Sequence, residues 1–126
     1  MRFELRLDPE LRVRAQASGL GRVLGNLLSN AVKYGPEGGV IEVEAQRGSD
    51  RAVLCVLDRG PGVPAAEQPA LFRRYARLSP QPSGGEETTG LGLALARQHA
   101  RAQGADLRYE DRPGGGACFR LEWPLA

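Results

Sequence analysis

The 126-residue sequence is sparing with the side chains that most often announce a function. It holds two cysteines, one histidine, one methionine and one tryptophan, and only 6% of it is aromatic. Cys55 and Cys118 alone cannot build a disulfide framework or a zinc site, so both read as buried thiols in a reducing compartment. Charge of one sign is also lacking: 17 basic against 15 acidic residues leave +2, with no clustered basic face of the kind nucleic-acid binders carry. No run approaches the roughly 20 apolar residues of a membrane span. The opening residues Met1 to Arg6 are charged and lack an apolar core, so no secretory signal is expected. The length suits one domain with a real core. A soluble, cytoplasmic α/β domain without membrane contact is expected.

Periodicity supplies the elements. Residues 3–7 alternate as a half-buried strand, Asp8-Pro9 breaks it, and 11–14 read as a short second strand. Leu20, Val23, Leu24, Leu27, Leu28, Ala31 and Val32 then follow the helical period, with Ser18 as N-cap and Gly35-Pro36 as stop. Residues 40–45 and 52–57 form a hairpin around a turn at 48–50. A short helix is expected around 71–75, and 77–89 follow neither period, as a lid would. A second long helix runs from Leu91 to Gln103 and ends at Gly104. A closing hairpin, 106–110 with 117–123, turns around 113–116. This order predicts a mixed sheet with helices on one face.

Three groups of residues bear chemistry. On the first helix Asn26, Asn30 and Lys33 stack at i, i+4 and i+7, with Tyr34 between them and the apolar stripe. A solvated face is the plain alternative, but such a face favours Glu, Lys, Arg or Gln over Asn, whose amide competes for backbone groups. Carboxamide oxygens can join a Mg²⁺ shell completed by phosphates and water, and an ammonium can meet a phosphate. Next, Asp58-Arg59-Gly60-Pro61-Gly62 follows an apolar strand. Gly60, Gly62 and Ala65 imitate a dinucleotide fingerprint, yet Pro61 and Pro64 remove N–H groups and the preceding strands form a hairpin, not a βαβ unit. A carboxylate at a strand end, followed by glycines, can instead accept from the exocyclic amine of adenine; a simple turn is the alternative. Last, Thr89-Gly90-Leu91-Gly92 opens a helix, whose free N–H groups and dipole suit phosphate, although no P-loop run is present.

In combination these stretches resemble the catalytic and ATP-binding domain of sensor histidine kinases, within the superfamily that includes gyrase, Hsp90 and MutL ATPases. The resemblance spans nearly the whole chain. Asn26 to Tyr34 is similar to the N box, Asp58 to Gly62 to the G1 box, Phe72 to Tyr75 to the F box and Thr89 to Leu93 to the G2 box, while residues 114–124 match the closing strands. It implies an α+β two-layer sandwich, with a mixed, mainly antiparallel sheet under three helices and an ATP lid at about 76–89. By position, Asn30 would hold Mg²⁺ and Asn26 would support the triphosphate. Lys33 would contact phosphate and Tyr34 would pack near the nucleotide. Asp58 would bind the adenine amine, and Gly60 and Gly62 would make room. Thr89, Gly90, Leu91 and Gly92 would cap phosphates, and Arg74 would reach the γ-phosphate. Phe72 and Tyr75 would position the lid.

Two details separate kinase from ATPase. Hydrolysing relatives carry a water-activating Glu where this chain has Asn26, and a carboxamide is no general base near neutral pH. A protein imidazole is nucleophilic already, so transfer to it requires no resident base. The family's acceptor motif is absent, because the one histidine, His99, sits in Gln98-His99-Ala100-Arg101 and reads as structural or surface. Residues 1–126 are thus expected to be a catalytic domain whose phosphoacceptor domain lies elsewhere, with a response regulator as indirect partner. The rivals are a slow ATPase, a non-catalytic scaffold, and nucleic-acid binding through Arg97, Arg101 and Arg108; the last is disfavoured by the charge balance.

Overall fold

The computed structural model describes residues 2–8, 17–34, 39–73 and 92–124. In chain order these form β1 (Arg2–Leu7), α1 (Ala17–Tyr34), β2 (Val40–Arg47), β3 (Arg51–Asp58), a 3₁₀ turn (Gln68–Ala70), α2 (Gly92–Ala102), β4 (Asp106–Asp111) and β5 (Ala117–Pro124). The five strands make one sheet in the order β1-β2-β3-β5-β4. β1 runs parallel to β2, with Phe3 opposite Ile41, and α1 lies in the connection such a pair requires. The other pairs are antiparallel, β3 against β5 placing Val56 opposite Phe119 and Asp58 opposite Ala117.

Alternation along the strands decides the layers. On β5, Ala117, Phe119, Leu121 and Trp123 are buried towards the helices, and half-buried Arg120 and Glu122 alternate with them. Val23, Leu27 and Ala31 of α1 and Ala96 and Ala100 of α2 join those side chains, with Ala52 and Val56 of β3, in one core. The alanines present little bulk, which lets the two helices pack close together. Fully burying side chains such as Leu27, Phe119 and Trp123 contributes about 1.5–3 kcal/mol each.

The expected sandwich is therefore present, with differences in detail. The chain is already helical at Ala17, so Ser18 lies within the first turn of α1 and does not precede it. The described residues contain two α-helices on the sheet, not three. A short helix was expected around 71–75; the described residues show a 3₁₀ turn at Gln68–Ala70, with Leu71 and Arg73 closing i to i+3 bonds onto Gln68 and Ala70, and residues 74–75 lie outside the described residues. Val32, expected in the apolar stripe, is 41% exposed. The expected strand at 11–14, the Gly35-Pro36 stop and the lid lie outside the described residues. Cys55 and Cys118 are free thiols, half-buried and buried. Among the described residues no helix is long and apolar enough to cross a membrane.

Candidate nucleotide site

Asn26 and Asn30 sit on one flank of α1, half-buried beside the fully buried Val23, Leu27 and Ala31. Arg22, Gly25, Ser29 and Val32 occupy the exposed face instead. The carboxamides are thus set at the border of core and solvent, which distinguishes them from an ordinary solvated stripe. Neither carboxamide has a hydrogen-bond partner among the described residues. Lys33 follows on the same flank by helical position, and Tyr34 ends the helix; their side chains lie outside the described residues.

β3 delivers the carboxylate. Ala52 and Val56 enter the core shared with α1, and the period of two puts Asp58 on that same face at the strand's end. Asp58 is only 3% exposed. Its Oδ1 accepts the Gly60 backbone N–H at 2.8 Å. Burial pushes the Asp58 pKa up, against the pull of the Gly60 and Ala117 N–H groups and of nearby Arg112. Antiparallel neighbours on both sides of β3 also exclude the dinucleotide reading of Gly60 and Gly62.

The loop after Asp58 has little freedom. Gly62 is left-handed at φ 69°, and a Cβ there would lie 3.1 Å from the Gly116 carbonyl oxygen and 3.3 Å from the Tyr109 hydroxyl. Gly116, at φ 112°, lies so close that a Cβ would run into the Asp58 carbonyl oxygen. Gly60 is not left-handed; its contribution is the N–H on Asp58. A hollow of about 300 Å³ between Pro61–Pro64 and Asp111–Gly116 lies beside this loop, and Asn26, Asn30 and Asp58 are not among its walls.

α2 is described from Gly92, where a Cβ would meet nothing within 4 Å among the described residues. Phe72 packs against the core, with the Arg97 guanidinium 4.8 Å from its ring centre. Arg74, Tyr75, Thr89, Gly90 and Leu91 lie outside the described residues. The structure therefore brings Asn26, Asn30 and Asp58 to one face of the sheet, with α2 packed on the same layer.

Three features were not foreseen from sequence. Gly116 abuts Asp58; Tyr109 and Gln68 hold Val63; and Arg97, Arg101 and Arg108 gather on Asp106. The last three lie 3.9, 3.2 and 3.6 Å from its carboxylate, so the arginines considered for nucleic acid share an anion within the fold. His99 is half-buried in the last turn of α2.

Among the described residues no three His, Cys, Asp or Glu side chains converge as a metal cage. Neutral carboxamides alone make a poor cation site, but one carboxamide oxygen suits Mg²⁺ when phosphates and water fill the remaining positions. A carboxamide such as that of Asn30 would fit Mg²⁺ in that form only, arriving with a polyphosphate.

Residues 15–126 match the family model described as histidine kinase-, DNA gyrase B-, and HSP90-like ATPase. The sensor protein CutS of Streptomyces coelicolor is 40% identical over 107 residues, covering 84% of this chain and 26% of CutS. Sensor histidine kinase TmoS of Ectopseudomonas mendocina is 32% identical over 124 residues, covering 98% of this chain and 13% of TmoS. The structure of mycobacterial sensor histidine kinase MprB superposes with a TM-score of 0.86 at 33% identity, over 98% of this chain and 83% of that one. Full-length ShkA in complex with AMPPNP gives 0.81 at 28% identity, over 99% of this chain and 26% of that one. The chain thus spans about a quarter or less of these two curated relatives.

Proposed function

The chain belongs to the histidine kinase-, DNA gyrase B- and HSP90-like ATPase family, and from that membership we propose that residues 1–126 form the ATP-binding catalytic domain of a two-component sensor histidine kinase. It passes the γ-phosphoryl of ATP to a histidine on a separate phosphoacceptor domain, from which a response regulator is served. The observation that carries this reading is the buried Asp58 carboxylate on the sheet face that also bears the half-buried Asn26 and Asn30.

Each residue then has a task. Asp58 accepts the adenine amine, where a guanine carbonyl would be repelled. Gly60 and Gly62 keep the loop thin beside the base. Asn30 holds Mg²⁺, Asn26 supports the triphosphate, and Lys33 contacts phosphate with Tyr34 near the nucleotide. Thr89, Gly90, Leu91 and Gly92 cap the phosphates, and Arg74 meets the γ-phosphate. Mg²⁺ supplies charge neutralisation across the phosphates. Asn26 withholds a general base from water, which keeps the γ-phosphoryl for an imidazole.

The test is a phosphotransfer assay with γ-labelled ATP, run with and without a helical phosphoacceptor domain. The expected result is acid-labile label on the acceptor histidine, none on this chain, and little free phosphate. Steady phosphate release with no transfer would make the protein a slow ATPase instead.

A further inference from the structure

We propose that Tyr109, braced by Gln68 and Asp111, is a positioning residue that fixes the loop behind Asp58 and through it the choice of purine. This rests on the reading of Asp58 as the adenine contact. The hydroxyl of Tyr109 accepts the Val63 N–H at 2.8 Å and donates to Asp111 Oδ1 at 3.1 Å. The Gln68 side-chain amide donates to the Val63 carbonyl at 2.9 Å and to the same Asp111 oxygen at 3.3 Å. Both backbone polar groups of Val63 are therefore held by side chains that meet on one carboxylate oxygen.

The clamp is anchored and its reach is short. The Tyr109 ring stands edge-on to Phe119 at 5.5 Å and 70°, and Phe119 is a core residue. Burial, and then the Asp111 carboxylate, push the Tyr109 pKa up, so its proton remains available to Asp111 at neutral pH. Between Val63 and Asp58 the chain has few ways to move: Pro61 has a fixed φ, and Gly62 is left-handed at φ 69°, where a Cβ would meet the Gly116 carbonyl oxygen and the Tyr109 hydroxyl. The remaining link is Gly60, whose N–H orients the Asp58 carboxylate. Releasing Val63 frees this short path and lets the carboxylate turn. The tyrosine lies 46 residues from Val63 in sequence and touches neither Asn26 nor Asn30 by any hydrogen bond among the described residues. Its effect should thus fall on the base, with the phosphate end spared.

The full chain tests this through amide hydrogen exchange and calorimetric titration with non-hydrolysable ATP and GTP analogues. Tyr109→Phe keeps the ring and removes the hydroxyl; Asp111→Ala, at an exposed position, removes the shared anchor and serves if the first variant folds poorly. The expected result is loss of Val63 amide protection with β3 and β5 unchanged, ATP-analogue affinity about three- to tenfold weaker, and a lower ATP:GTP ratio. A ratio equal to wild type in both variants would overturn the clamp while leaving the Asp58 reading intact. Equal affinities for the two analogues in wild type would overturn both, and is told apart by the wild-type titration alone. A general loss of stability would weaken both analogues together and leave the ratio unmoved, which would also overturn it.

Discussion

The Gly60 N–H points at Asp58 Oδ1 from 2.8 Å, so the carboxylate that ends β3 is aimed by the loop that follows it. A strand end, a tight turn and a buried acid are one unit here. Burial raises the pKa of the acid, and the backbone N–H groups of Gly60 and Ala117 that face it pull the other way.

Replacing that acid separates stability from selectivity. Asp58→Asn removes a buried charge; with its amide oxygen kept by the Gly60 N–H, its amide NH2 would face the adenine amine donor to donor. Preference for ATP over GTP analogues is expected to fall about tenfold or more, the measure of a lost charge-assisted hydrogen bond. The folded-state pKa lies above the unfolded one, so ionised Asp58 costs stability as pH rises past its ordinary value. The variant should therefore melt no lower than wild type at pH 7. Competition titrations and a melting curve check both; unchanged purine preference would reject the adenine contact.

Gly116→Ala is expected to damage both fold and site. Its φ of 112° disfavours any Cβ, and the added methyl would meet the Asp58 carbonyl oxygen. A destabilisation of about 1–3 kcal/mol is expected from the backbone alone, with weaker ATP binding because β3 must shift. Denaturant titration beside Gly115→Ala, where nothing lies within 4 Å of a Cβ, isolates the close approach from the shared left-handed φ. Equal losses in the two variants would contradict the contact.

The far face of the sheet carries a pH response. Glu42, 5% exposed, accepts from Arg6 at 2.9 Å and Arg112 at 2.8 Å, with Arg59 at 3.4 Å. Hydrogen bonds from Arg6 and then Arg112 hold its pKa down from 4.5 to about 2. A depressed carboxylate pKa stabilises the fold fully above the unfolded value, and that stabilisation is lost as pH falls through 4.5 towards 2. Glu42→Gln should cost about 1–3 kcal/mol at pH 7, the half-exposed Arg6 and Arg59 keeping it modest by solvent screening. Melting temperatures from pH 7 to 2 should converge for the two proteins below pH 4.5. A gap that stays constant with pH would contradict the ion cluster.

Local patterns made much of this legible. A short apolar run announced β3, and the acid directly after it announced where Asp58 would sit. Asn at i and i+4 announced a special flank of α1 because the residue is a poor helix former. What escaped was long-range. Nothing local links Tyr109 to Val63 or Arg112 to Glu42, 46 and 70 residues apart. The run Gly114 to Gly116 conceals which glycine is pressed against β3. Arg97, Arg101 and Arg108 resemble a basic patch until α2 and β4 bring them to Asp106.

Calorimetric titration with a non-hydrolysable ATP analogue, with and without Mg²⁺, in wild type and Asn30→Ala, decides whether this domain binds ATP through a metal held by Asn30. The expected result is one site per chain in wild type that Mg²⁺ tightens at least about tenfold, and an Asn30→Ala protein that is folded by circular dichroism yet gains nothing from Mg²⁺. Absence of binding in wild type, or the same Mg²⁺ gain in the variant, would contradict it.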